Sequence, residues 1–238
     1  PKIVRFSAWY CPVIVVGGSY SGFLSALSRI MNVFDISYAG SAPMKFYAQL
    51  VDQYAYYAHI AKVANAAVPG CSQAVRDALD DVSQLIRDGT LDITDDAIGT
   101  CPGTIPDYCS SNVETFLDEM IMMAGYTFAN YNMAYYPPSN DTKLVQACHT
   151  FVSHSQSSID KVRSFFLDAL GDGDGEDRGC CFDMRKQLPS GKNATISAGD
   201  WSGVGTGDSG ESWDFETCSY HVEAIGFSGM FPDRPWSM

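Results

Sequence analysis

Four β-branched residues, Val13-Ile14-Val15-Val16, run without a break into Gly17-Gly18-Ser19-Tyr20-Ser21-Gly22, and apolar residues then recur at Phe23, Leu24, Leu27, Ile30 and Met31. A short continuous β-branched run is the pattern of a strand buried on both faces of a parallel sheet, and the spacing that follows it is that of an amphipathic helix. The order strand, tight turn, helix leaves Ser19 on the turn. A serine there needs small neighbours, because the backbone bends so sharply that side chains two before and two after it would collide. Gly17 and Ser21 hold those positions. The helix begins at the same place, so the backbone N–H of Tyr20 is positioned to donate to an oxyanion. Ser19 is therefore read as a nucleophile. The run departs from strict Gly-x-Ser-x-Gly, since the fifth residue is Ser21 and the glycine is displaced to Gly22.

Asp35-Ile36-Ser37-Tyr38-Ala39 reads as the next strand and ends in the loop Gly40-Ser41-Ala42-Pro43, which completes one βαβ unit. From Met44 to about Leu170 amphipathic helical patterns replace strands. Val75, Leu79, Val82 and Ile86 line one face behind a Ser72 cap. Ser111 and Glu114 form a capping box ahead of Phe116, Leu117, Met120 and Ile121. Leu144, Cys148 and Val152, then Ile159, Val162, Phe166 and Leu170, add two more helices. At least four helices with no strand between them look like a helical cap inserted into an α/β core. The division expected is 1–43 for the core with its turn, 44–205 for the cap, and 206–238 for the end of the cap and the return toward the core. The segments 171–177 and 197–210 are Gly/Asp/Ser-rich loops.

With 238 residues, 46% of them hydrophobic, the chain can fill a sizeable interior. Fifteen Lys and Arg against 28 Asp and Glu give a net charge of −13, which repels phosphate backbones and argues against nucleic acid as a partner. Eight cysteines (Cys11, Cys71, Cys101, Cys109, Cys148, Cys180, Cys181, Cys218) are too scattered for paired metal ligands and suit disulfides in an oxidising compartment, with the pairing open. The sequons Asn140-Asp141-Thr142 and Asn193-Ala194-Thr195 point the same way, to a secreted or lysosomal route. No apolar run is long enough for a membrane span, and residues 1–10 lack the pattern of a signal peptide. The chain starts without Met and enters mid-fold sequence almost at once, so it reads as a fragment.

Three other features compete with Ser19. Gly207-Asp208-Ser209-Gly210 matches the nucleophile loop of two-barrel serine proteases, but the hundred-odd residues before it read as helical, so a plain loop is the better account. The acidic run Asp172-Gly173-Asp174-Gly175-Glu176-Asp177, with Asp183 at the twelfth position, resembles a calcium loop. Asp177 replaces the turn glycine, so no metal is assigned. His59, His149 and His154 fall in the helical segment, where a surface role is expected. His221 lies late in the chain without a strand pattern to place an acid before it, so a structural role is expected there too.

Taken in order, Gly17-Gly18-Ser19-Tyr20-Ser21-Gly22, the downstream Tyr38-Ala39-Gly40-Ser41-Ala42-Pro43, the helical insert, Trp213-Asp214-Phe215-Glu216-Thr217-Cys218 and Met230-Phe231-Pro232 resemble the lysosomal Pro-Xaa carboxypeptidase and dipeptidyl peptidase II family of serine peptidases, over nearly the whole chain. The resemblance implies a partial α/β-hydrolase core (strand, nucleophile elbow, helix) with a large helical cap, and an exopeptidase cutting peptide substrates next to proline without a cofactor. Ser19 takes the nucleophile position and Tyr20 the oxyanion-hole position; Gly17, Gly18, Ser21 and Gly22 make the elbow. The family's catalytic Asp and His follow the Met-Phe-Pro region and are expected beyond Met238, and its early strands before Pro1. The full-length protein then admits a homodimer, and this stretch alone is expected to be inactive. Glu216 stands where the family has Gln. Aromatic residues Phe46, Tyr47, Tyr54, Tyr57 and Phe116 fall in the segment read as the cap, with core packing expected before substrate contact. The alternatives are a lipase or esterase on the same fold and a non-catalytic peptide-binding product.

Overall fold

The computed structural model describes residues 11–93, 97–171, 180–187 and 225–235. They divide into two compact units, one of residues 11–52 and one of the remainder. Outside the described residues lie Asn193, His221, the acidic run 172–177, the Gly-Asp-Ser-Gly run 207–210 and the Trp213 to Cys218 run.

The first unit runs strand β1 (Ile14–Gly18), helix α1 (Ser19–Ile30), strand β2 (Ile36–Gly40) and the short helix α2 (Met44–Tyr47). The strands pair in parallel, from Ile14 opposite Ile36 to Gly18 opposite Gly40. Asp35 ties their start by accepting a 2.8 Å bond from the Val13 N–H. Helix α1 is fastened to both strands by a buried serine. Ser25 Oγ lies 2.7 Å from Ser37 Oγ, 3.3 Å from the Val15 carbonyl and 3.2 Å from the Tyr38 carbonyl.

The expectation of a strand buried on both faces is corrected here. Val15 is half-buried, on the α1 side, whereas Ile14, Val16, Ile36 and Tyr38 on the alternate positions are exposed, Val16 by 70%. In a two-stranded sheet, one helix covers one face only, and period-two alternation sends the other side chains away from it.

The second unit is helical: α3 (Ala55–Ala67), α4 (Cys71–Arg87), α5 (Asp107–Ser110), α6 (Val113–Met133), α7 (Lys143–Val152), α8 (Ser158–Leu170) and α9 (Met184–Gln187). Helix α4 packs against α3, α6, α7 and α8. Its stripe Val75, Leu79, Val82 and Ile86 is buried, as the i, i+4, i+7 spacing requires. Tyr57 and Phe116, named above among the cap aromatics, are fully buried in this core, so neither is available to a substrate; Phe46 and Tyr47 belong to the first unit. Segment 225–235 closes on the same core. Phe227 stacks on Tyr57 at 4.3 Å, Met230 and Phe231 are fully buried, and Phe227 pairs antiparallel with Arg234.

Both helix caps read from the sequence are corrected. Helix α6 is capped by Asn112, whose side chain accepts from the Thr115 N–H at 3.3 Å. Glu114 instead forms a two-pronged ion pair with Arg87 at 2.7 and 2.8 Å. At α4 the cap position is Gly70, with φ +85°. Ser72 sits inside the first turn, where its hydroxyl donates to the Ala61 carbonyl and its N–H to Asn65 Oδ1. The structure also pairs four cysteines, Cys71 with Cys148 and Cys101 with Cys181. Among the described residues, no helix is long and apolar enough to cross a membrane.

Candidate active site

Ser19 is the first residue of α1 and follows β1 directly, at φ +55°. For a residue with a Cβ this left-handed backbone costs roughly 1–2 kcal/mol and persists only where its surroundings hold it there. Gly17 is part of what does so. A Cβ on Gly17 would lie 2.0 Å from the carbonyl oxygen of Ser21, so chain direction reverses within a space that admits no side chain. Gly22 is buried against the end of β2, where a Cβ would lie 2.7 Å from the Gly40 carbonyl oxygen and 3.3 Å from Ala42 Cβ. Gly18 is different. It has an ordinary extended backbone, φ −121°, and a Cβ there would meet only Gly40 O, at 3.9 Å. Ser21 is exposed.

The turn leaves the Ser19 side chain exposed at the carboxyl end of β1. That is the edge of a parallel sheet at which open α/β folds place ligands. Tyr20, the second residue of α1, lies in the turn whose N–H groups point out of the helix end. No side chain caps this end and no acidic residue sits in its first turn, so the positive end of the helix dipole is not offset by a carboxylate of the helix itself. An oxyanion formed at Ser19 would be stabilised there. The Tyr20 ring joins a cluster with Phe23 and Tyr47, the last two 4.9 Å apart edge to face.

Sequence reasoning passed over two groups in this unit. Ser41 follows the paired Gly40 as Ser19 follows Gly18, and it too has a left-handed backbone, φ +49°. The hint was Gly40-Ser41 at the end of a strand, a smaller copy of Gly18-Ser19. Ser25, with its hydroxyl held among the strands, carried no signal, since one serine in a helix stripe looks like a surface residue.

No histidine occurs in residues 11–52. His59 on α3, His149 on α7 and His154 just beyond it are exposed and belong to the second unit. Asn140 is exposed in the loop between α6 and α7. Asp183 is engaged by Arg185 at 3.3 Å, and among the described residues no cluster of three His, Cys, Asp or Glu side chains is placed to hold a metal.

Residues 7–224 match the family model of serine carboxypeptidase S28. The match spans the strand, the turn at Ser19, α1 and all the described helices, in agreement with the resemblance drawn from the motifs. The chain therefore belongs to the serine carboxypeptidase S28 family.

Proposed function

We propose that Ser19 is the nucleophile of a serine exopeptidase that cleaves peptides next to proline, carried on part of an α/β-hydrolase core with the helical unit as its cap. The observation that carries this reading is Ser19 itself: exposed, in a left-handed backbone between strand and helix, with Gly17 unable to accept a side chain behind it. In this mechanism Ser19 Oγ attacks the scissile carbonyl and passes its proton to a histidine, while the Tyr20 N–H donates to the oxyanion. The protonated histidine gives its proton to the leaving amine, and water then hydrolyses the acyl-enzyme. Following the family resemblance, the reading takes the base and its orienting acid from residues beyond 238 and expects the 238-residue stretch alone to be inactive. Two disulfides and the exposed Asn140 support a secreted or lysosomal glycoprotein.

A fluorophosphonate probe tests the nucleophile. The 238-residue chain stays unlabelled, a protein extended at both ends is labelled, and Ser19→Ala in that protein abolishes the label; a label that survives Ser19→Ala overturns the assignment. Reporter peptides with proline at the cleaved bond, run beside ester reporters on the extended protein, test the substrate class. Ester turnover without peptide cleavage removes the peptidase reading.

A further inference from the structure

Glu119 is a carboxylate in a poor place to be charged. It sits on α6 between the buried pairs Phe116, Leu117 and Met120, Ile121, and its Oε2 is buried without a hydrogen-bond partner. The nearby cation is Arg234 of segment 225–235, which is already committed. Arg234 donates to the Asp118 main-chain carbonyl at 3.0 Å and pairs with the Asp118 carboxylate. The other titratable groups that act on or respond to Glu119 among the described residues are Asp118 on its own helix and the Cys109 thiol on α5, which burial pushes up to about 11. Leaving an ionised carboxylate oxygen desolvated and unpaired is costly, and protonation removes most of that cost.

We propose that Glu119 takes up a proton as the helical unit folds, so that the packing of α5, α6 and segment 225–235 around it is firmer at acid than at neutral pH. Burial is the strongest influence on its carboxyl and raises it above the ordinary glutamate value; Arg234 lowers it and Asp118 raises it, and the balance is upward. A carboxyl whose folded value is raised leaves stability unaffected below its unfolded value. It then removes stability as pH climbs from the unfolded to the folded value. Asp118 is also raised by burial, against the pull of Arg234, so the test must isolate Glu119.

The test compares the thermal midpoints of the 238-residue chain and its Glu119→Gln and Glu119→Met variants at pH 4.5 and pH 7.5. The quantity read is the variant-minus-parent difference, which holds whether or not a variant is less stable overall. That difference is expected to be more favourable at pH 7.5 than at pH 4.5. An equal difference at both pH values overturns the proposal, and so does a variant that falls further behind at pH 7.5, which would mean that Arg234 stabilises the ionised form. In the parent chain, the infrared carbonyl band of a protonated carboxyl is expected to persist above the ordinary glutamate range and to be lost in Glu119→Met; a parent in which no such band remains, or a band that survives Glu119→Met, also overturns it.

Discussion

Gly17 and Gly18 are neighbours with the same composition and opposite tolerances. A Cβ on Gly17 would overlap backbone, the Ser21 carbonyl, at 2.0 Å, and backbone cannot swing aside as a flexible side chain can. Gly17→Ala is expected to cost more than about 3 kcal/mol, at the upper end of overpacking effects. Gly18→Ala, with φ −121° and its nearest obstacle at 3.9 Å, is expected to stay within about 0.5 kcal/mol of the parent. Chemical denaturation of both variants checks the pair. Equal costs would mean that the turn at Ser19 is looser than this backbone. From the sequence the requirement for small residues was visible, but not its distribution. Motif spacing assigns crowding to Gly17 and Ser21, and a Cβ on Gly17 would meet the Ser21 backbone; the structure adds Gly22 as a second position without room, while Ser21 is exposed. The reason is geometric. The residue three after Ser19 passes under the end of β2, and only knowledge of where Gly40 lies shows that its side chain would strike it.

The helices of the second unit were legible as elements because their apolar stripes are long. Val75, Leu79, Val82 and Ile86 on α4 define a face by themselves, and that face is buried. Their ends were not legible, because several side chains near each end can satisfy the same N–H groups and tertiary contacts choose among them. Glu114, one member of the capping box read from the sequence, is drawn to Arg87 on α4, and Asn112 caps α6 in place of Ser111. Asn112→Ala is expected to cost about 1 kcal/mol, while Ser111→Ala, whose hydroxyl makes a 3.5 Å contact with the Tyr108 carbonyl, changes stability little. Urea midpoints that rank the two the other way would restore the capping box. The Arg87–Glu114 pair is exposed on both sides, so Glu114→Gln is expected to have a small effect that shrinks further in high salt. The strands show the converse. The β-branched run correctly announced β1, but burial on both faces depends on what else covers the sheet, which four residues cannot encode.

At the scale of the whole molecule the disulfides carry information that sequence withheld, since eight cysteines can pair in many ways and their spacing selects none of them. The structure joins Cys71, at the start of α4, to Cys148 in α7, 77 residues later, and Cys101 to Cys181, 80 residues later. Both links therefore span the long helical segment and leave the first unit uncrosslinked. Closing loops of this length restricts the unfolded chain by about 4 kcal/mol per link in the loop-entropy account. The two bridges close overlapping loops, because Cys101 lies between Cys71 and Cys148 while Cys181 lies beyond them, so their effects on the unfolded chain are not independent. Cys71→Ala with Cys148→Ala removes one link while Cys101–Cys181 stays. Followed by the circular dichroism of the helices, this double variant is expected to melt about 8–16 °C below the parent. Both sulfurs sit at fully buried positions, so small cavities add to the loss. Melting both proteins in a reducing agent separates the two contributions, because the reduced parent and the reduced double variant both lack the 71–148 and 101–181 links and differ only in the side chains at 71 and 148. If the reduced parent melts with the unreduced parent, these connections are not what holds the helical unit. If the reduced parent and the reduced double variant melt together, the loss belongs to the crosslink and not to the packing around it.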